Sequence, residues 1–354
     1  MTKYIVPLLL MCFFLLGHSA AAILEVGEHR AYQIIADALR EASPGDTTLV
    51  YPGMYVESAL FVKEGMTLAA AGPATTVIAY KPIMSQGNIL TCGNGASIRG
   101  FWLVGAPDCV IAGFREATFG LQNCVIWGNA SVLGGYYGQR RAIFTNCTVF
   151  GNEEGIVSKD GSSATLHNTI VWGNNSNLVG DVSASHCNIE GGWPGEGNID
   201  ADPVFADPRQ ADANLLLNVP YVDPVIADLR LKPGSPCIDA GNDKPAHFLK
   251  RDIAGNPRIL YGGRSSTVDV GAYEFYINKV EPVPDTDEAT FTWSSLADAT
   301  YAIFTSDDLF TWHLAIDNFP SAGNQTTFWT DDGTLTGLPP SLVPRRFYRL
   351  LENP

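Results

Sequence analysis

Positive charge is scarce in this chain: 354 residues carry 22 Lys and Arg against 37 Asp and Glu, a formal net charge of −15. Unaided nucleic-acid binding needs a basic footprint over the phosphates, so this balance argues against such a partner. It also disfavours direct binding of a polyanion, unless a cation such as Ca2+ bridges the like charges. Long apolar runs are scarce too. Beyond the first two dozen residues none approaches the roughly 20 needed to span a bilayer, so no transmembrane span is expected. Also missing is a serine or cysteine set in the pattern of a nucleophile beside a base, and His167 and His186 stand at strand edges without one.

The single long apolar run lies at the start and reads as an export signal. Lys3 supplies the positive end, Tyr4 to Gly17 the apolar stretch, and Ala20-Ala21-Ala22 a small-residue cleavage site. The expected mature chain begins near Ile23 and is secreted or held at the cell surface. Losing Lys3 leaves 21 basic and 37 acidic side chains, hence −16. Six of the seven cysteines remain (Cys92, Cys109, Cys124, Cys147, Cys187 and Cys237). An oxidising compartment allows them to pair, in any of 15 ways, whereas stacking in one column of a repeat makes them small buried apolar groups.

What the chain does contain is a repeat. FWLVGA (Phe101 to Ala106), NCVIWGN (Asn123 to Asn129), NCTVFGN (Asn146 to Asn152), NTIVWGN (Asn168 to Asn174) and a degenerate HCNIEGG (His186 to Gly192) align on Gly105, Gly128, Gly151, Gly173 and Gly191. A period of about 20 to 25 residues carrying one short strand and a turn is a solenoid signature. Counting back from each glycine, the second position holds Leu103, Ile126, Val149, Val171 and Ile189, and the fourth Phe101, Cys124, Cys147, Thr169 and Cys187. Alternation along a strand points both columns into one core. The fifth position, Asn123, Asn146 and Asn168, is expected to form an amide ladder between coils.

Ahead of the repeat, Ala31 to Ala42 has apolar residues at helical spacing and ends at SPGD (Ser43 to Asp46). Short β-branched runs cut by Pro and Gly follow. This opening, through SPGDTTLVYPGMYVES and EGMTLAAAGPATTVI, resembles right-handed parallel β-helix proteins of the pectate-lyase-like superfamily, which include esterases, lyases, glycoside hydrolases and non-catalytic surface proteins. The resemblance implies an all-β fold of three parallel sheets wound one coil per repeat, over residues 23–276, with the helix as N-terminal cap. Within it, LRLKPGSPCIDAGN, DIAGNPRI and VDVGAYE (Leu229 to Glu274) resemble the terminal region of secreted bacterial proteins of the choice-of-anchor Q type, here 191–276. Asp239, Asp252, Asp269, Glu274 and Arg258 recur there, read as turn-bonding carboxylates and one arginine in a closing cap. A Pro-rich acidic linker is expected at 277–288, and a small β-sandwich over 289–354 with Trp293, Tyr301, Trp312 and Phe347 in its core.

Two places are candidates for ligand contact. Trp127, Phe150 and Trp172 share the column just before the repeat glycine, on the outer face, where successive aromatics would form a strip for sugar rings unless another segment covers it. The insertion LGGYYGQRR offers Tyr136, Tyr137, Arg140 and Arg141 as a grip for a uronate or other carboxylated glycan. The expected partner is therefore an extracellular polysaccharide or cell-surface glycan. For catalysis, Lys159, Asp160 and Arg140 are the candidates, with Asp108, Arg115, Glu116, Glu153 and Glu154 as supporting groups in outward turns. The catalytic patterns of the pectate-lyase-like relatives are missing: no NTD, DD and GHG set and no WIDH segment. PGMYVE (Pro52 to Glu57) echoes an esterase opening without the later aspartate strand. Polysaccharide binding leads, a lyase or hydrolase of acidic glycans is the alternative, and a structural or adhesive surface protein comes third.

Overall fold

The computed structural model describes residues 21–72, 75–82, 87–113, 116–134, 139–209, 227–259, 265, 267–296, 298–323 and 326–353. The expected export signal lies outside these residues. Among them, strands stack in parallel into a β-solenoid of about six turns. One sheet of eight strands runs from Ile23–Val26 to Val182–Ser185, and a second of seven from Gly53–Val56 to Asn188–Ile189. The third face starts as four strands, Leu60–Val62, Asn88–Cys92, Cys109–Gly113 and Leu133–Gly134, and continues as the pair Glu154–Ser158 and Ser176–Gly180.

The repeat sets this register. Leu103, Ile126, Val149, Val171 and Ile189 are in-register partners on successive coils and are buried at 1% exposure or less. Cys124, Cys147 and Cys187 stack below Phe101 as free, buried thiols whose Sγ atoms face backbone carbonyls. Burial drives the Cys187 thiol up to about 12. At ordinary pH it stays a neutral, apolar plug.

In the expected column one rung of the amide ladder forms, Asn168 Nδ2 donating to Asn146 Oδ1 at 3.2 Å, and a fuller ladder runs in a second column. Asn129 Nδ2 donates to Asn152 Oδ1 at 3.0 Å and Asn152 Nδ2 to Asn174 Oδ1 at 2.8 Å. The same oxygens accept the backbone N–H of Asn129 and Asn152. These asparagines follow the repeat glycines, where the coil turns and leaves backbone groups unpaired. Asn123, Asn146 and Asn168 instead sit at φ near 50°, a left-handed corner that asparagine tolerates. Their amides turn mainly outward: Asn123 Nδ2 donates to Arg251 O at 2.6 Å and Asn146 Nδ2 to Asp269 O at 3.0 Å.

Both ends of the coil stack are closed. The helix Ile35–Glu41 covers the first coil with Ile35, Ala38 and Leu39. Glu57 holds its N-terminus, Oε1 accepting the Ile35 N–H at 2.8 Å and Oε2 the Ala36 N–H at 2.9 Å. A carboxylate there satisfies donors the helix cannot and opposes the helix dipole. The glutamate of PGMYVE is thus a capping group. At the far end Trp193 packs on the core and donates from Nε1 to Val182 O at 3.0 Å.

After Trp193 the chain does not simply cap the stack. It returns along the outer face of the seven-stranded sheet and covers it, forming a second apolar layer with Phe205, Leu229, Ile238, Ile253, Val270 and Ala272. The segment expected as an end cap is therefore largely a lateral clasp.

Next come two three-stranded antiparallel sheets that pack around Phe291, Trp293, Tyr301, Ile303 and Trp329. Part of the expected linker belongs to them: Asn278–Pro282 is an edge strand paired with Ala289–Ser294. Its Pro282 stands at the strand's last position, where a missing donor does little harm. Trp312 and Phe347 are only half-buried, and Trp329 occupies the core instead.

Candidate functional site

The outer aromatic column is not available to a sugar. Trp127 and Phe150 are 3% and 4% exposed, and Trp172 is half-buried against the same layer. Phe205 of the clasp meets Phe150 edge to face at 5.5 Å. The indole of Trp127 donates to Arg209 O at 3.0 Å, and that of Trp102, two residues before Val104 on the same face, to the Tyr273 hydroxyl at 3.2 Å. The expected ligand strip is corrected on these grounds: its apolar area is removed from water by the chain's own clasp.

A buried charge network fastens that clasp. Arg258, 1% exposed, donates to Glu274 at 3.1 Å, to Asn123 Oδ1 at 2.7 Å and to the carbonyls of Gly271 and Ala272 at 3.0 Å. Asp269 accepts the N–H of Asp239 at 2.7 Å and of Phe275 at 2.5 Å, and Asp252 that of Glu274 at 2.9 Å. Burial nevertheless raises the carboxyl of Asp269 to about 7, and lifts Asp252 and Glu274 in the same direction. These carboxylates bond turn amides and the Arg258 guanidinium.

The catalytic candidates do converge. Arg140 immediately precedes the strand Arg141–Thr145, and Lys159 and Asp160 lie in the turn between Glu154–Ser158 and Ser163–His167. Successive coils bring them, with Asp108 and Glu154, around one open cleft of about 250 Å3 on the solenoid flank. Asp160 (φ 56°) and Gly161 (φ 76°) shape the turn, which closes through Ser162 N–H to Lys159 O at 3.0 Å. Lys159 Nζ is 3.6 Å from Glu154 Oε1, both side chains well exposed, so the pair adds little stability and both groups stay accessible. Arg140 is 8% exposed and donates from Nη1 to Gly134 O. Gly113 makes room for it, since a Cβ there would run into the Arg140 stem. Desolvation lowers the proton affinity of Arg140, partly opposed by Cys109 and Asp160. The same burial drives the Cys109 thiol up to about 12, so that it contributes no thiolate.

Arg141 does not join this cleft. It is exposed on the outer face of the eight-stranded sheet, in register with Thr118 and Ser163. Adjacent residues at a strand point to opposite sides, which separates the two arginines. Tyr136, Tyr137 and Arg115 lie outside the described residues. Ser131, Ser162 and Ser163 add hydroxyls to the cleft. Sequence reasoning missed them because serine in a turn carries no spacing signal of its own. It also missed the 2.9 Å contact of His167 Nδ1 with Ser185 Oγ on the next coil. Burial and His186 lower the proton affinity of His167. Among the described residues no carboxylate bonds to it, as nucleophile activation would require.

Among the described residues no three His, Cys, Asp or Glu side chains converge to hold a metal ion, and no helix is long and apolar enough to cross a membrane. Comparison with family models, with curated proteins and with solved structures finds no match.

Proposed function

We propose that this is an exported, secreted or cell-surface β-helix protein that binds an extracellular acidic polysaccharide across the flank cleft. The observation that carries the reading is the convergence of Arg140 and Lys159, from neighbouring coils, in one open groove that also holds Asp108, Glu154 and Asp160. Arg140 is held by packing and presents a pre-oriented guanidinium, while Lys159 is a mobile point charge. Together they match carboxylates repeated along a polyuronate chain. Asp108, Glu154 and Asp160 accept from sugar hydroxyls and reject ligands that bring only negative charge. At about 250 Å3 the cleft takes one sugar unit of a chain lying across the coils.

Two cations, Arg140 and Lys159, lining one cleft also suit a second reading, a lyase. There a base removes the C5 proton, the electron pair forms the C4=C5 double bond, and the C4–O bond breaks as the leaving oxygen takes up a proton. One incubation separates the two. The full chain is mixed with polygalacturonate, alginate and neutral dextran, with and without Ca2+, and both retention and unsaturated ends are followed. Retention of a polyuronate without product, weakened about tenfold by Lys159→Ala, is the expected result. New unsaturated ends establish the lyase reading, and no retention of either polyuronate overturns both.

A further inference from the structure

Among the described residues five ionic side chains line the flank cleft, Arg140 and Lys159 against Asp108, Glu154 and Asp160, so the cleft carries one negative charge in excess. Both cations already have a carboxylate of the chain beside them. Lys159 Nζ stands 3.6 Å from Glu154 Oε1, and Asp160 supports the charge of Arg140. Asp108 is left over. It is exposed on the cleft wall, and among the described residues no cation pairs with its carboxylate and no N–H donates to it. Its place is nevertheless fixed. The Asp108 N–H donates at 3.3 Å to Gly87 O on the preceding coil, where only a glycine leaves room, since a Cβ there would stand 2.5 Å from Asp108 Cβ. Two coils further on, by way of Ser131, comes Glu154. At about 4.8 Å per coil, the backbones of Asp108 and Glu154 lie roughly 10 Å apart along the groove, the length of about two sugar units.

Resting on the polysaccharide reading of this cleft, we infer that its preferred ligand is a glycan of mixed charge, in which a uronate stands next to an amino sugar with a free amine. The uronate carboxylate takes the place of Glu154 and Asp160 beside Lys159 and Arg140, and the ammonium on the neighbouring sugar meets Asp108. A chain bearing carboxylates alone brings like charge up to Asp108, and a chain bearing amines alone brings it up to the two cations. The one acid in excess is neutralised by a ligand that carries both signs and left facing repulsion by a pure polyuronate. Asp108 is thereby the residue that sets specificity, attracting the amine and repelling a second acid.

The test titrates the full chain calorimetrically in mildly acidic buffer, with a chelator present so that no metal ion bridges carboxylates. The probes are oligosaccharides of equal length: hyaluronate, which alternates glucuronate with N-acetylglucosamine; the same chain after removal of its acetyl groups; chitosan, which bears amines alone; and polygalacturonate. The de-acetylated hyaluronate is expected to bind about tenfold tighter than hyaluronate, polygalacturonate or chitosan. Asp108→Asn, at an exposed and unpaired position, leaves the fold alone and moves the ligands in opposite directions, weakening the amine-bearing chain several-fold and strengthening the two pure acids. Lys159→Ala weakens every ligand that carries a uronate. Hyaluronate bound as tightly as its de-acetylated form overturns the inference and leaves the acidic-polysaccharide reading in place, as does an Asp108→Asn effect of one sign on both. Chitosan bound as tightly as the mixed chain also overturns it, since the cleft then selects positive charge alone. Binding of none of the uronate-bearing chains overturns the polysaccharide reading itself, and the inference with it.

Discussion

Trp127 shows how one side chain changes meaning with its neighbours. It stands outward on its strand, yet the clasp removes it from water and accepts its indole proton. Truncating a buried tryptophan forfeits transfer energy and leaves a cavity, typically about 3–5 kcal/mol. Trp127→Ala is therefore expected to lower stability by that amount in urea unfolding while leaving polyuronate retention intact. A loss of retention in protein shown to be folded would return the strip to the role of a ligand surface. Lys159 lies at the opposite extreme: exposed, paired at 3.6 Å, and replaceable at little stability cost. Alternation in the sequence was enough to place Trp127, Phe150 and Trp172 outside the barrel. It held no information on what covers them, because an outward aromatic reads the same whether a sugar or the chain itself lies above it.

Among the elements, the coils were legible because each pairs with copies of itself about 22 residues away, so every column prints its requirements several times. The asparagines were misassigned between two columns for the same reason: both repeat. Only geometry separates the left-handed corner at Asn123, Asn146 and Asn168, with its single rung, from the fuller ladder at Asn129, Asn152 and Asn174. The clasp was least legible, since its contacts join residues as far apart as Trp102 and Tyr273 without any period. Its buried carboxyls give it a pH signature. The folded state holds the Asp269 proton to about 7 from an ordinary 3.8, so this contribution to stability is full below the ordinary value and is lost as pH rises through 7. Asp252 and Glu274 act in the same direction. Hydrogen exchange at the Gly271 and Ala272 amides is therefore expected to report a clasp that opens more readily at pH 8 than at pH 4.5. Asp269→Asn should flatten that difference; an unchanged slope would assign it to other groups.

For the whole molecule the arrangement of apolar layers decides which parts unfold together. The solenoid core and the clasp layer lie on opposite faces of one sheet, and residues such as Ile126 and Trp127 alternate between them. Neither layer survives loss of that sheet, so the two should melt as one unit. The sandwich has its own closed core, Phe291, Trp293, Tyr301, Ile303 and Trp329, and connects to the clasp beside Ile277, whose N–H donates to Ser294 Oγ at 2.7 Å and whose carbonyl accepts the Ser294 N–H at 2.8 Å. Calorimetry of the full chain is thus expected to resolve two transitions, a larger one for solenoid with clasp and a smaller one for the sandwich. Ile303→Ala, removing a fully buried side chain at about 2–5 kcal/mol, should move only the smaller, and Trp127→Ala only the larger. A single transition that both substitutions shift equally would mean that the contacts at the junction couple the two cores.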